Sequence, residues 1–183
     1  QGCVIVNNLT VNPPPTNGTY LAGQTVTFCF TVSSYNQTSV NWLHGVVPTF
    51  GPGWSMPTLT TVNPANCSGV GTWNWYNTNV TSTATGATYG PGFYYESPLG
   101  SPFGVTDGNP GNNYGDNNPS NFCDWTFCWT ISTLPPGSCI PGASLNISIN
   151  TLGDGESGSW TSFACSGDPV TEFFATLACC TPP

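Results

Sequence analysis

A chain of 183 residues with no lysine and no arginine, against eight acidic residues, carries a formal charge of −8 at pH 7. Nothing in it neutralises phosphate, so nucleic acid and anionic membrane surfaces are excluded as electrostatic partners. With salt bridges confined to the N-terminal amine and the one histidine, His44, the fold has to rest on apolar burial, hydrogen bonds and cross-links. The length suits a single domain over residues 1–183, and no apolar run approaches the roughly 20 residues that cross a bilayer.

The first strand expected is Cys3 to Val11, with Val4, Ile5, Val6, Leu9 and Val11 as its apolar residues and a slip in alternation at Asn7 and Asn8 that reads as a bulge or break. Pro13, Pro14 and Pro15 stop it, and Asn17-Gly18 supplies a turn. Val26 to Ser34 follows, with Val26, Phe28, Phe30 and Val32 alternating with Thr27, Cys29 and Thr31, the period of a half-buried strand. Next come Ser39 to Phe50, closed by Gly51-Pro52-Gly53, and a short edge strand, Leu59 to Val62, bracketed by Pro57 and Pro64, which cannot donate to a ladder. Thr72 to Tyr76 puts Trp73 and Trp75 on one face. Val80 to Thr85 and Thr88 to Tyr95 complete this half, the latter broken at Gly90-Pro91-Gly92.

Between Glu96 and Asn121 the pattern fails, leaving a long loop of Gly, Pro and Asn, a length usually functional or tied down. Trp125 to Thr133 then repeats the earlier strand nearly residue for residue, Trp125, Phe127, Trp129 and Ile131 against Thr126, Cys128 and Thr130. Two like strands side by side make a Cys29–Cys128 bridge geometrically plausible. Pro135-Pro136-Gly137 turns the chain into Ser144 to Leu152, the clearest alternation present, and Gly153-Asp154-Gly155 reads as an exposed hairpin tip. Trp160 to Cys165 and Val170 to Cys180 finish the sheet. About ten strands with proline and glycine turns, and no helical period, indicate an all-β, disulfide-stapled β-sandwich, immunoglobulin-like or jelly-roll.

Nine cysteines, Cys3, Cys29, Cys67, Cys123, Cys128, Cys139, Cys165, Cys179 and Cys180, in a chain this poor in charge point to an oxidising compartment, with up to four bridges and one sulfur left over. Zinc is disfavoured because no Cys-x-x-Cys occurs and the spacing of Cys123 and Cys128 sets them on opposite faces of a strand. An N-terminal glutamine, which cyclises readily once a signal is removed, reads as a mature secreted form, and the terminal Thr-Pro-Pro as the start of a stiff linker. The location expected is secreted, extracellular or on the cell surface.

His44 lacks the companions of a nucleophilic triad: no Gly-x-Ser-x-Gly elbow exists, and it reads as a solvated or hydrogen-bonded residue at a strand end. Asp154 and Glu156 sit at the hairpin tip rather than facing each other across a cleft, so an enzyme is not expected. No cofactor is required. The loop from Asp107 to Asn118 offers the hard oxygens calcium takes, with Asp107, Asn109, Asn112 and Asp116 as ligands. The competing reading is a turn-rich loop whose Asn and Asp side chains bond their own backbone. Trp73, Trp75 and Tyr76 form a candidate aromatic platform for glycans, the competing fate being the core. Sequons stand at Asn8, Asn17, Asn36, Asn66, Asn79 and Asn146.

Sheet edges in natural proteins are guarded by charge, and this chain has almost none to place there. Such edges accept a neighbour's strand, and the segment 3–11, set off by three prolines, either pairs in its own domain or is donated to another copy, with filaments as the open-ended outcome. The motifs Trp42-Leu-His-Gly-Val-Val-Pro-Thr-Phe-Gly-Pro-Gly-Trp54, Cys67-Ser-Gly-Val-Gly-Thr-Trp-Asn-Trp75, Tyr89-Gly-Pro-Gly-Phe93, Gly108-Asn-Pro-Gly-Asn-Asn-Tyr-Gly-Asp116 and Cys123-Asp-Trp-Thr-Phe-Cys-Trp129 resemble modules of large secreted surface proteins of Bacteroidota, of the kind exported by the type IX system. That resemblance implies a surface, adhesin or appendage component and transfers no catalytic residues. Two functions are therefore expected: a structural subunit of an extracellular filament or surface layer, partnered by copies of itself, or a glycan-binding adhesin module.

Overall fold

The two near-identical stretches become neighbours at the centre of one sheet, because each has a face of large apolar side chains and a face of threonines that satisfy one another. The computed structural model describes residues 3–36, 42–65, 71–97, 107–116, 123–154, 160, 165, 167–168 and 170–179. In chain order its strands are β1 (Val4–Asn12), β2 (Thr19–Leu21), β3 (Thr25–Tyr35), β4 (Gly45–Phe50), β5 (Trp54–Val62), β6 (Thr72–Tyr76) and β7 (Val80–Thr81). They continue as β8 (Thr88–Tyr89), β9 (Gly92–Glu96), β10 (Trp125–Thr133), β11 (Ile147–Leu152), β12 (Thr171–Phe173) and β13 (Thr176–Ala178). Two 3-10 turns, Pro110–Asn112 and Pro136–Ser138, are the helical elements among the described residues.

One sheet has the order β1-β3-β10-β5 and the other β12-β11-β4-β9-β6, with the small pairs β13-β2 and β7-β8 beside them. Every pair in the two large sheets is antiparallel. The fold is an all-β sandwich. In the register of β3 and β10, Phe28 faces Trp129, Phe30 faces Phe127 and Val32 faces Trp125. These inward residues are nearly all fully buried and meet Phe93, Trp73, Phe50 and Phe173 of the opposite sheet, Trp73–Phe127 at 4.9 Å and Phe28–Phe173 at 5.1 Å between ring centroids. Each such side chain contributes roughly 1.5–3 kcal/mol on burial, which lets a chain almost without charge fold.

On the outward face the same register sets Cys29 opposite Cys128, and the two are disulfide-bonded. Thr27 bonds Thr130 at 2.9 Å on one side of the bridge and Thr31 bonds Thr126 at 3.1 Å on the other. The bridge therefore links neighbours within a sheet instead of spanning the sandwich as the immunoglobulin disulfide does. Cys3–Cys165 and Cys139–Cys179 tie the N-terminal strand and the last strand to the body. Cys123 is disulfide-bonded as well, and Cys67 and Cys180 lie outside the described residues.

Several sequence expectations are corrected. The bulge of β1 falls at Val4–Asn7, slightly before the expected slip, and the strand pairs with β3 of its own chain. The edge strand β5 begins at Trp54 and runs through Pro57, which an edge tolerates because its outer side needs no donor. The expected strand Val170 to Cys180 is two short ones, β12 and β13, and β2, which pairs with β13 in parallel, was not anticipated. Trp160 lies in a turn, and residues 161–164, 37–41 and 156 are outside the described set. Asp154 is no exposed tip: it is fully buried and accepts from the Gly115 amide.

Candidate functional site

The sandwich has two long seams where the edges of its sheets meet, and they are built differently. At the β1/β12 seam, Cys3 is bonded to Cys165, the Val4 amide donates to Asp168 Oδ1 at 3.0 Å, and Thr171 Oγ1 lies 3.5 Å from Asn7 Oδ1. These contacts fasten the start of β1, up to Asn7. Burial holds the Asp168 carboxyl above its ordinary range, against the pull of the Val4 and Cys3 amides. Cys3, Cys165 and Asp168 are a close grouping of potential metal donors, but both sulfurs are consumed in a disulfide and offer no thiolate.

At the opposite seam, β5 and β6 diverge and leave a groove. Met56, Trp75 and Pro91 line its middle; one end, of about 290 Å³, reaches Pro48 and Phe50, and the other, of about 520 Å³, reaches Leu59, Thr60 and Asn77. Trp73 and Trp75 share the inward face of β6, as alternation requires, yet only Trp75 reaches the groove. Trp73 is buried in the core with its indole Nε1 donating to Asp116 at 2.9 Å. Trp75 is half-buried, packs edge to face on Phe93 at 5.0 Å, and donates from Nε1 to Asn77 Oδ1 at 2.7 Å. Tyr76 bonds Glu96 Oε2 at 3.0 Å, and burial followed by the Glu96 charge pushes its phenol well above the usual range. Of the expected three-residue platform, half-buried Trp75 lines the groove, and the other two aromatics are committed to packing and internal hydrogen bonds.

The oxygen-rich loop is likewise committed. Asp107 is exposed, accepts from the Asn109 amide at 2.9 Å and Asn112 Nδ2 at 2.7 Å, and is held below the usual carboxylate range chiefly by these bonds. Asn109 Oδ1 accepts from the Gly111 amide at 3.0 Å. Asp116 belongs to a different environment: it is fully buried, and its Oδ2 accepts from the indoles of Trp73 and Trp125, the latter at 2.7 Å. The four residues named for calcium therefore divide between a turn, with Asp107, Asn109 and Asn112, and a buried tryptophan clamp at Asp116.

That end of the sandwich holds a network the sequence reading missed. Glu96, almost fully buried at the end of β9, accepts from the amides of Asp107 and Gly108. Asn113 Oδ1 accepts from the Ser97 amide at 2.8 Å. His44 is fully buried just before β4, with Nε2 3.0 Å from the Pro110 carbonyl and its ring 4.6 Å from Trp160. Burial lowers its pKa to about 3, opposed by bonds to the backbone of Tyr95 and Pro110, so the ring is neutral at physiological pH. The motif from Trp42 to Trp54 owes its composition to this packing: Leu43 through Pro48 are all buried. Comparison with protein-family models, curated proteins and solved structures finds no match for the chain.

Proposed function

We propose that the chain is a structural module of an extracellular assembly, a filament or surface layer, whose copies associate edge to edge through β1. One observation carries this reading. From Asn7 to Asn12, β1 pairs with β3 without interruption, lies at the end of its sheet, and contains neither charge nor proline, while Ile5 and Val6 beside it are 45% and 50% exposed. The other sheet ends are blunted: β5 contains Pro57, β12 is three residues long and carries Glu172, and β6 has five residues. A long uncharged edge is a template for another backbone.

The Cys3–Cys165 tether and the ladder to β3 favour addition of β1 to a second β1 over its donation out of its own sheet. Two such edges meeting antiparallel form a twofold contact that closes on itself, so growth into a filament requires a second contact. Nine cysteines leave one sulfur over after any full pairing within the chain, and a bridge between copies is one such contact. The three described bridges accord with an oxidising, extracellular setting. Light scattering on the native protein, with electron microscopy of material from its source, tests the reading. A dimer or polymer reduced to monomer by Val6→Lys and Ile5→Lys supports it; a strictly monomeric wild type over the micromolar range overturns it.

A further inference from the structure

The groove between β5 and β6 stands on the opposite seam from β1, and its chemistry is unlike that of an edge awaiting a strand. Pro48 lies in β4, Pro57 in β5 and Pro91 just before β9, so three of the backbones that line it lack an N–H at the groove. A strand laid there forfeits ladder donors. What the groove offers is the indole face of Trp75 and the side chain of Met56, with Thr49 and Thr60, both exposed, and Asn77 along the rim. None of the described residues lining it is charged.

The absence of lysine and arginine from the whole chain removes any counter-charge for an acidic ligand, and among the described residues no carboxylate lines the groove to hold a cationic one. A ligand that satisfies both conditions is neutral, presents an apolar face to stack on an indole, and carries hydroxyls at its rim for threonine and asparagine. We infer that the β5/β6 groove is a binding site for a neutral saccharide, with Trp75 as the stacking platform, Met56 and Pro91 as its apolar floor, and Thr49, Thr60 and Asn77 as hydrogen-bonding groups. The Trp75–Asn77 bond fixes the indole by its Nε1 edge at the wall of the groove. Sugar binding on this side leaves the β1 edge free, so the site is independent of the assembly proposed above.

The test is affinity electrophoresis and titration calorimetry of the full chain against soluble neutral polysaccharides, a β-glucan, a xylan, a mannan and a dextran, with alginate as the anionic control and a polyproline peptide as the competing ligand class. The inference expects at least one neutral polysaccharide to bind and alginate not to. Trp75→Ala is expected to weaken binding more than tenfold. Because Trp75 also packs on Phe93, Met56→Glu is the companion variant: Met56 is 46% exposed, so a carboxylate there blocks the groove while the thermal transition stays in place. Binding that survives both variants, binding of polyproline alone, or no binding to any neutral polysaccharide overturns the assignment.

Discussion

Replacing His44 by glutamine isolates a large pH-dependent contribution to stability on the acid side. The ring is fully buried and its pKa falls from 6.5 to about 3, so the folded chain stays unprotonated where the unfolded chain binds a proton. The sign follows directly: above the unfolded value both states are neutral and stability is unaffected, and as pH falls below it the unfolded state alone takes up the proton. At about 1.4 kcal/mol per unit of difference, the wild type loses about 3 kcal/mol from this group between pH 7 and pH 4, approaching 4–5 kcal/mol below pH 3. His44→Gln removes the titration and retains a hydrogen-bonding side chain toward the Pro110 carbonyl, at the expense of the ring contact with Trp160. Urea denaturation of both proteins at pH 7 and pH 4 reads the effect. The variant is expected to be less stable at pH 7 by about 1–2 kcal/mol from lost packing, and to lose about 3 kcal/mol less than the wild type on going to pH 4. Carboxylates, including Asp168, act equally in both proteins and cancel in the difference. Parallel losses in the two would refute the argument that burial keeps His44 neutral.

Asp116→Ala leaves the buried indole N–H groups of Trp73 and Trp125 without their acceptor, and is expected to cost about 3–5 kcal/mol in urea denaturation with a changed near-ultraviolet tryptophan spectrum. Peptide mapping after pepsin digestion should recover Cys3–Cys165, Cys29–Cys128 and Cys139–Cys179; free thiols at Cys29 and Cys128 would contradict the sheet register. Removing Cys3–Cys165, which closes a separation of 162 residues, should lower stability by up to about 5 kcal/mol on the chain-entropy estimate. Glu96→Gln should speed hydrogen exchange at the Asp107 and Gly108 amides, which it accepts from, while leaving the β3/β10 ladder protected.

How much of this was legible in the chain depends on range. The repeat of Val26–Ser34 at Trp125–Thr133 announced two strands with matching faces, and their antiparallel pairing with Cys29 opposite Cys128 follows from that likeness. Strand limits were less legible where proline intervened: Pro57 argued for a break, yet at an edge a strand without an outer partner runs through it. Residue type announces a capacity but not a direction, and burial divides the residues named for glycan and for calcium: Trp75 lines a groove while Trp73 and Tyr76 are held by internal hydrogen bonds, and Asp116 is buried while Asp107 is exposed. Trp73 and Trp75 are two residues apart on one face, and only their tertiary surroundings decide that one is core and the other lines a groove. Asp107 and Asp116 share one loop, and the chain turns the second into the core to clamp two tryptophans.

By itself the sequence determined the all-β character, through period-two alternation and proline and glycine punctuation, and it determined the chemistry of the surface, since a chain without lysine or arginine cannot guard its edges with cations. It also determined that sulfur bridges carry stability that charge cannot. The tertiary structure alone decided which strands end the sheets among the described residues, where Cys3–Cys165 fastens the N-terminal strand, and which buried polar groups, His44, Glu96 and Asp116, find partners. The physical reason is that these outcomes depend on contacts between residues dozens to more than a hundred positions apart, which local pattern does not encode.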